Sequence, residues 1–466
     1  AEIVYKTAKT WKNLIWTRSP LGVQIQQKTA ETPGGNELRA WAENLPAVPE
    51  APYGPSYADL AAQILLLPET FSYFGEQATM MGTWVGTTRL VNQVYSRFRS
   101  LNWGMMRQAR KVAGDGSPRK KAEALYRFVR DEIQTEPGEG VLIGDDNSSL
   151  QKVLSARRGT AVEKALLLQM MLLESGVKTY LVWAADRDRG TVDLTLPNPN
   201  WFDTVLLMVE IDSKRMLLDP SSPDLGFGQL RAGYEGTPAL IFDTVQPVTL
   251  SATPFERNLR RAEIDLTLDD KGRLAGQGTL RLTGLRAVER LGWKGNEART
   301  LQAWRDWLAE RYAEFRISDV RAVESRDERK VTVTWSMAQR EEEVLGDEAT
   351  LVPSAPLGPA SQPFVEAERK LDVIFDFPGR DEVELRLRWP AAWSLARKPA
   401  PAKMAAACGE LSTALELDDA QRTLVYRRRF DITRRRLSSK EEYEAVRALF
   451  GEAAKNDALA LTLVRR

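Results

Sequence analysis

Four charged side chains lie near the ends of predicted elements in the middle of the chain: Glu163, Lys164, Asp203 and Asp219. Two carboxylates at the right separation can hydrolyse a glycosidic bond, and a carboxylate beside a lysine can support acid/base catalysis. The spacing of the four residues does not select one such pair. A charged pair in the first turn of a helix is usually solvated or complements the helix dipole. We therefore expect Glu163 and Lys164 to be solvated, and Asp219 to cap the turn before Pro220.

The composition excludes most side-chain mechanisms. The 466 residues contain no histidine and one cysteine, Cys408, with 65 basic residues against 64 acidic residues. Without an imidazole, a Ser-His-Asp triad, a Cys-His pair and a histidine-ligated zinc site are excluded. One cysteine excludes an internal disulfide and a cysteine-rich metal site. We expect no cofactor and no metal, and a net charge of +1 gives no global attraction to nucleic acid.

One helix and three strands must position the charged residues. Gly159 and Thr160 lead into an apolar run that predicts a buried helix from Ala161 to Glu174, ended by Gly176. Strands are predicted over residues 178–184, 201–211 and 215–218. This order places Asp203 near the beginning of one strand and Asp219 directly after another.

The regions on both sides of this unit are predicted to be rich in strands, with inserted helices. In front of it, we predict strands over 11–16, 21–27 and 38–45, a Pro-rich linker or strap over 46–55, a helical segment over 84–113 and helices near 118–133 and 150–156. Ser117 and Pro118 are typical of a helix N-terminus. Behind it, we predict a hairpin over 261–282, a helix over 298–315, strands over 331–335, 370–375, 383–389, 422–432 and 458–464, and a helix capped at Ser438 or Ser439. The pattern predicts an α+β fold.

The segment over residues 158–220 resembles the transglutaminase-like superfamily. The papain-like core of that family carries a cysteine at a helix N-terminus, then a histidine and an aspartate on neighbouring strands. The Gly-x-Cys pattern corresponds here to Gly-Thr-Ala at residues 159–161, and the histidine context to Phe-Asp-Thr-Val at 202–205. The aliphatic-Asp-Pro motif is present as Leu-Asp-Pro at 218–220. The resemblance therefore implies a degenerate triad at Ala161, Thr204 and Asp219.

The two substitutions remove both groups that would react. A cysteine at a helix N-terminus is acidified by the helix dipole, and a neighbouring imidazole completes thiolate formation. Ala161 supplies no nucleophile, and Thr204 cannot accept a proton near neutral pH. The resemblance thus implies a pseudoenzyme with no catalytic residues, in which Glu163, Lys164 and Asp203 are possible groove residues.

A weaker resemblance extends over most of the chain, to bacterial multidomain proteins that flank this core with β-sandwich domains of unknown function. It implies a partial N-terminal β-sandwich over residues 1–67, a transglutaminase-like core over 68–250 and a C-terminal β-sandwich with helical insertions over 255–466. The front sandwich of such proteins is larger, so we expect the chain to begin inside it. Because those proteins are mostly exported, the resemblance implies a periplasmic or cell-surface location.

The remaining features have ordinary structural explanations. Cys408 has no basic neighbours in the sequence and is predicted to be a buried thiol. The arginine runs at 427–429 and 434–436 flank Phe430 and Ile432 within a strand-like segment, where alternate side chains point to opposite faces, so we expect solvated or interface contacts. Trp304 and Trp307 are predicted to pack in a core or between domains. The apolar patch at 165–173 contains Gln169 and is too short to span a membrane, so no transmembrane segment is predicted.

Three functions remain open. The first is a structural or protein-binding scaffold with protein partners in a larger assembly. The second is a non-catalytic module that holds a peptide or glycan in the old substrate groove, overhung by the loop at 186–200. The third is a hydrolase that uses Glu163, Lys164, Asp203 and Asp219 in a new arrangement. Carboxyl groups that are dispersed or bonded to the backbone would remove the support for the third.

Overall fold

The protein consists of two compact units. The computed structural model describes residues 1–7, 13–68, 70–73, 76–79, 83–100, 102–138, 140–144, 149–291, 297–343, 346–358 and 361–466. The first unit comprises Ala1–Glu50 and Pro55–Ala252, and the second comprises Ala51–Gly54 and Thr253–Arg466. Both units contain helices and strands, so the predicted α+β class is confirmed.

The first unit contains helices in its middle and strands on either side of them. Its helices are α1 (Tyr57–Leu60), α2 (Trp84–Phe98), α3 (Trp103–Ala113), α4 (Pro118–Glu132), α5 (Leu150–Ala156) and α6 (Ala161–Glu174). Its strands are β1 (Glu2–Thr7), β2 (Asn13–Arg18), β3 (Gln26–Thr32), β4 (Gly35–Trp41), β5 (Gln63–Pro68), β6 (Thr70–Tyr73), β7 (Glu76–Thr79), β8 (Gln134–Thr135), β9 (Arg158–Gly159), β10 (Lys178–Ala184), β11 (Thr204–Ile211), β12 (Lys214–Leu218), β13 (Pro238–Ile241) and β14 (Gln246–Thr249).

An antiparallel five-stranded sheet forms the centre of the first unit, in the order β12-β11-β10-β13-β14. Strand β11 is buried on both faces. One face, which includes Val205 and Leu207, packs in the same core as Leu166 of α6. The other face, which includes Leu206, packs in a second apolar cluster. Because both faces are covered, the middle of β11, residues 205–209, is continuously apolar rather than alternating.

Smaller ladders complete the first unit. An antiparallel sheet has the order β1-β4-β3, and β2 pairs with β5 and β6 with β7. The two-residue strands β8 and β9 are parallel, with Thr135 opposite Gly159. This short parallel pair brings the residues after α4 to the beginning of α6.

The second unit is built on an eight-stranded sheet. Its helices are α7 (Leu285–Leu291), α8 (Glu297–Arg311) and α9 (Lys440–Asp457). Its strands are β15 (Leu259–Leu268), β16 (Leu274–Thr283), β17 (Phe315–Ser325), β18 (Lys330–Gln339), β19 (Glu348–Leu351), β20 (Val373–Ile374), β21 (Gly379–Arg388), β22 (Trp393–Arg397), β23 (Lys403–Ala406), β24 (Gly409–Asp418), β25 (Thr423–Ile432), β26 (Arg436–Leu437) and β27 (Leu461–Arg465).

The large sheet has the order β17-β18-β16-β15-β21-β25-β24-β23, and β15 and β21 form a parallel pair within it. Strands β19, β27 and β22 form a second sheet, and β20 pairs with β26. One apolar core includes Leu385 of the large sheet, Trp304 and Leu308 of α8, and Leu461 of β27. Trp304 is fully buried and Trp307 packs against this core, which confirms the prediction for both tryptophans.

The sequence predicted the elements with strong local signals. Strand β10 covers the predicted residues, and α4 begins after Ser117, whose side chain accepts a hydrogen bond from the Lys120 N–H. Helix α9 begins after Ser439 in a capping box with Glu442, as predicted. No helix in the described ranges is both long and apolar enough to cross a membrane.

Other predictions were wrong. The helical segment over 84–113 is two helices, because the Asn102 side chain caps the N-terminus of α3. The strand predicted over 21–27 is displaced to β3, whose polar side chains are almost all exposed and carry no hydrophobic period. The helix predicted to reach residue 315 ends at Arg311, and Phe315 begins β17. The strand predicted over 370–375 pairs only at Val373 and Ile374. Of the strand predicted over 11–16, residues 11 and 12 lie outside the described residues.

Candidate functional site

The beginning of α6 is fixed by reciprocal hydrogen bonds. The backbone N–H of Thr160 donates to Oε2 of Glu163 at 2.8 Å, and the N–H of Glu163 donates to Oγ1 of Thr160 at 3.4 Å. Glu163 is therefore part of a capping box. Ala161 is the first residue of the helix and is half-buried, so a methyl group lies at the position where the resemblance implies a nucleophile.

Lys164 is buried, contrary to the expectation that it is solvated. Its side chain is 1% exposed, and Nζ donates to the carbonyl oxygen of Ile133 at 2.5 Å and to Oγ1 of Thr135 at 2.9 Å. Burial lowers the pKa of Lys164 to about 8, against the opposing field of Asp219. The spacing to Leu167 and Leu168 places Lys164 on the apolar face of α6, a signal that could have predicted its burial.

Asp203 and Thr204 lie at the start of β11. Oδ1 of Asp203 accepts from the Asp186 N–H at 3.1 Å, and Oδ2 accepts from the Tyr234 hydroxyl at 3.1 Å. Thr204 is 2% exposed, and its Oγ1 has no hydrogen-bond partner among the described residues. Thr204 therefore packs as a small side chain, and Asp203 links two loop segments.

Asp219 is fully buried, and both of its carboxylate oxygens are hydrogen-bonded. Oδ1 accepts from the N–H and the hydroxyl of Ser221, at 3.0 and 2.6 Å. Oδ2 accepts from Nε of Arg231 at 3.0 Å. The bonds from Ser221 close an Asx-turn across Pro220, so Asp219 caps the turn as the sequence predicts.

A continuous polar network joins Lys164, Asp219 and Asp203. The hydroxyl of Thr135, which accepts from Lys164, donates to the carbonyl oxygen of Ser221 at 2.6 Å. At the other end, the Arg231 guanidinium lies 4.4 Å from the centre of the Tyr234 ring, whose hydroxyl reaches Asp203. Arg231 and Tyr234 were missed by the sequence reasoning, because they lie in an irregular segment after β12 with no motif.

One glycine-containing loop approaches both the start of α6 and the start of β11. A Cβ atom added to Gly138 would lie 2.9 Å from Thr160 Cβ, and one added to Gly140 would lie 2.6 Å from the Phe202 carbonyl oxygen. Gly140 also has a φ of +63°, which favours glycine. Two residues span at most about 7 Å, so the loop brings the neighbours of Ala161 and Thr204 close together.

The three carboxylates of this region have structural roles. Glu163, Asp203 and Asp219 each accept a hydrogen bond from a backbone N–H. Each of these bonds fixes the orientation of its carboxylate relative to the local backbone. Among the described residues, no group of three or more acidic or thiol side chains could hold a metal ion.

The features singled out in the second unit also have structural partners. Cys408 is 1% exposed, as predicted, and burial raises the pKa of its thiol. Arg428 points into the interior, where Nε donates to Oδ1 of Asp457 at 2.5 Å. The other arginines of the two runs bond to carboxylates or to a carbonyl: Arg427 to Glu384 and Glu416, Arg429 to Glu410 and Asp431, Arg434 to Glu442, Arg435 to the Asp376 carbonyl oxygen, and Arg436 to Asp372.

Comparisons with known proteins describe the fold of this chain rather than its activity. Residues 349–463 match a domain family of unknown function with a solved structure, DUF3858. A solved structure from Parabacteroides distasonis, of a protein provisionally named a protease, is similar with a TM-score of 0.58 and 12% sequence identity, over 99% of this chain and 71% of that one. No curated protein matches significantly. At this identity the likeness extends to the fold alone: a β-rich, multidomain α+β architecture.

Proposed function

We propose that the protein is a catalytically inactive member of the transglutaminase-like superfamily that acts as a structural or protein-binding scaffold within an assembly. The main support for this proposal is the ion pair between Asp219 and Arg231. In the family, this aspartate orients a catalytic imidazolium. Here it holds a guanidinium that is always protonated, with Arg231 Nε 3.0 Å from Asp219 Oδ2. A permanent cation satisfies the carboxylate but cannot shuttle a proton.

The polar network supports the same proposal. If Ala161 and Thr204 are the positions of a lost nucleophile and a lost base, the surrounding groups serve the fold. Glu163 caps α6, and Lys164 joins α6 to the end of α4 through Ile133 and Thr135. Selection for a rigid platform would preserve these contacts without preserving catalysis.

The two alternatives have less support. The hydrolase alternative needs a carboxylate that is free to react, and Glu163, Asp203 and Asp219 are each bonded to the backbone. The groove alternative needs space between the starts of α6 and β11. Gly138 and Gly140 approach Thr160 and Phe202 within this region, which favours a closed site.

The proposal includes a domain layout and a location. A partial β-sandwich would cover residues 1–67, the transglutaminase-like core 68–250 and a C-terminal β-sandwich 255–466, in a periplasmic or cell-surface protein. Its partners would be proteins rather than nucleic acid. The arginines at 427–429 and 434–436 support this, because each of them has an acidic or carbonyl partner within the chain. A guanidinium paired in this way is less available to bind phosphate. The protease name belongs to the structural neighbour and does not transfer at 12% identity.

Cross-linking of the native complex followed by mass spectrometry tests the scaffold. We expect a protein partner that co-purifies at fixed stoichiometry and whose cross-links cluster on one face of the chain. A sample processed without the cross-linker is the control for non-specific capture. Recovery of a lone monomer would contradict the scaffold and favour the peptide- or glycan-holding alternative.

A further inference from the structure

Strand β1 lies at the edge of its sheet and exposes apolar side chains. Among the strands of the described ranges, only β4 is hydrogen-bonded to β1, so the other side of β1 is a sheet edge. Ile3, Val4 and Tyr5 are 45, 42 and 36% exposed, whereas β3, at the opposite edge, consists of polar residues and one alanine. An exposed apolar edge is a template for pairing with another strand.

The pairing with β4 shows which backbone groups of β1 point away from the sheet. The Ala42 N–H donates to the Ala1 carbonyl oxygen at 3.0 Å, and the Ala1 nitrogen donates to the Ala42 carbonyl oxygen at 2.9 Å. In an antiparallel ladder, residues bonded in this way alternate with residues whose N–H and C=O groups point to the opposite side. The backbone groups of Glu2, Val4 and Lys6 therefore point outward, toward the edge.

We infer that a second copy of this chain pairs with this edge, β1 against β1, antiparallel about a twofold axis at Val4. In this register Glu2 lies opposite Lys6 of the second copy, Ile3 lies opposite Tyr5, and Val4 lies opposite itself. The outward-pointing backbone groups of all three even-numbered residues are then hydrogen-bonded across the axis. The edge is thus complementary to itself in hydrogen bonding, charge and apolar contact.

The charged residues select this direction and register. A parallel pair in register would place Glu2 beside Glu2 and Lys6 beside Lys6, and like charges that lie opposite each other are destabilising. An antiparallel register shifted by two residues would place Val4 opposite a charged side chain and leave the other charge unmatched. The register about Val4 pairs both charged residues.

The ion pairs within the sheet are compatible with this pairing. Glu2 Oε1 lies 3.2 Å from Nε of Arg39, and Lys6 Nζ lies 3.8 Å from Oε2 of Glu37. The side chains of Glu2 and Lys6 are 50 and 78% exposed, which leaves each of them accessible from the edge. In the pair, each Lys6 would lie between two carboxylates and each Glu2 between two cations, so the charges alternate across the four strands.

The edge of the large sheet in the second unit is protected in a way that β1 is not. Its strand β17 is interrupted by a bulge between Ser318 and Arg321, where Asp319 has a φ of +52°. Bulges twist an edge away from further pairing. Strand β1 pairs with β4 in one continuous register over all six residues.

The length of β1 sets the strength of the association. Two strands of six residues bury less area than a stable dimer does, so we expect a weak dimer with a dissociation constant on the order of 0.1 mM. The contact is isologous, because the same residues meet on both sides of the axis. The inference does not depend on the scaffold proposal, since it concerns association of the chain with itself.

Sedimentation equilibrium of the parent chain and two charge-reversed variants tests the pairing. We expect Glu2→Lys and Lys6→Glu each to weaken self-association about tenfold, because each places like charges opposite each other twice. An equimolar mixture of the two variants should recover the parent affinity as a heterodimer, since opposite charges then face each other at both places. Lys28→Glu, the same reversal at an exposed position of β3, is the control and should dimerise like the parent.

Each contrary result overturns the inference. A parent chain that remains monomeric at about 0.5 mM, five times the expected dissociation constant, shows that the edge does not bind a second copy. Self-association that both single variants retain places the dimer contact on another surface. A mixture that associates no better than the separate variants contradicts the antiparallel register about Val4.

Discussion

Two buried polar regions of this chain differ in how completely their hydrogen-bonding groups are paired. Around Asp219 in the first unit, Ser221 and Arg231 occupy both carboxylate oxygens. In the second unit, the buried Tyr312 hydroxyl has no partner among the described residues. A paired network stabilises the fold, whereas a buried hydroxyl without a partner costs folding free energy. Pairing is complete at Asp219 but not throughout the motif region, because the buried Oγ1 of Thr204 also has no partner among the described residues.

The largest expected effect is the loss of Asp219. We expect Asp219→Ala to lower the free energy of unfolding of the first unit by about 3 kcal/mol, because Ser221 and Arg231 lose their buried acceptor. Denaturant unfolding measures the change. Asp115→Ala, at an exposed loop position, is the control and should change stability by less than about 0.5 kcal/mol. Equal changes in the free energy of unfolding in the two variants would contradict a structural role for Asp219.

A smaller, pH-dependent effect is expected at Lys164. Its pKa is lowered to about 8 in the folded protein, so the unfolded chain binds more protons between pH 8 and the ordinary lysine pKa. The cost of the buried charge is therefore present below pH 8 and is relieved as the pH rises. Between pH 7.5 and 10, the parent should gain about 2 kcal/mol of stability relative to Lys164→Met.

The pH-dependence of denaturant unfolding measures this gain. Lys120→Met, which replaces an exposed lysine, should show no such difference from the parent. A stability difference between the parent and Lys164→Met that does not change with pH would contradict a buried, charged Lys164.

The smallest effect is expected at Tyr312. Tyr312→Phe should raise the free energy of unfolding by about 1 kcal/mol, because it removes a buried hydroxyl that has no partner among the described residues. Thermal unfolding of the second unit provides the measurement. A decrease of more than about 1 kcal/mol in the free energy of unfolding would mean that the hydroxyl is already hydrogen-bonded. Tyr312 would then not differ from Asp219 in this respect.

Local sequence signals predicted much of the fold and the cap of α6. The Ser117, Thr160 and Ser439 caps depend on residues three positions apart, and β10 contains an apolar run from Tyr180 to Ala184. Strand β3 was misplaced, because its exposed polar residues are ordered only by pairing with β4. A strand held by such pairing has no regular alternation of apolar and polar residues in its own sequence.

The candidate site was predicted less completely than the fold. Asp203 and Asp219 were identified by their motifs, but their partners were not. Tyr234 lies 31 residues from Asp203, and Arg231 lies 12 residues from Asp219, each across an irregular segment. Contacts of this kind depend on the tertiary path of the chain, which neither propensity nor spacing specifies.

The most direct test of the inactive site is a turnover assay of the purified chain with peptide, amide and acyl-transfer substrates. The account predicts that product forms no faster than in buffer alone, for the parent and for Asp203→Asn alike. Reproducible turnover that disappears in Asp203→Asn, with the variant still folded, would contradict it.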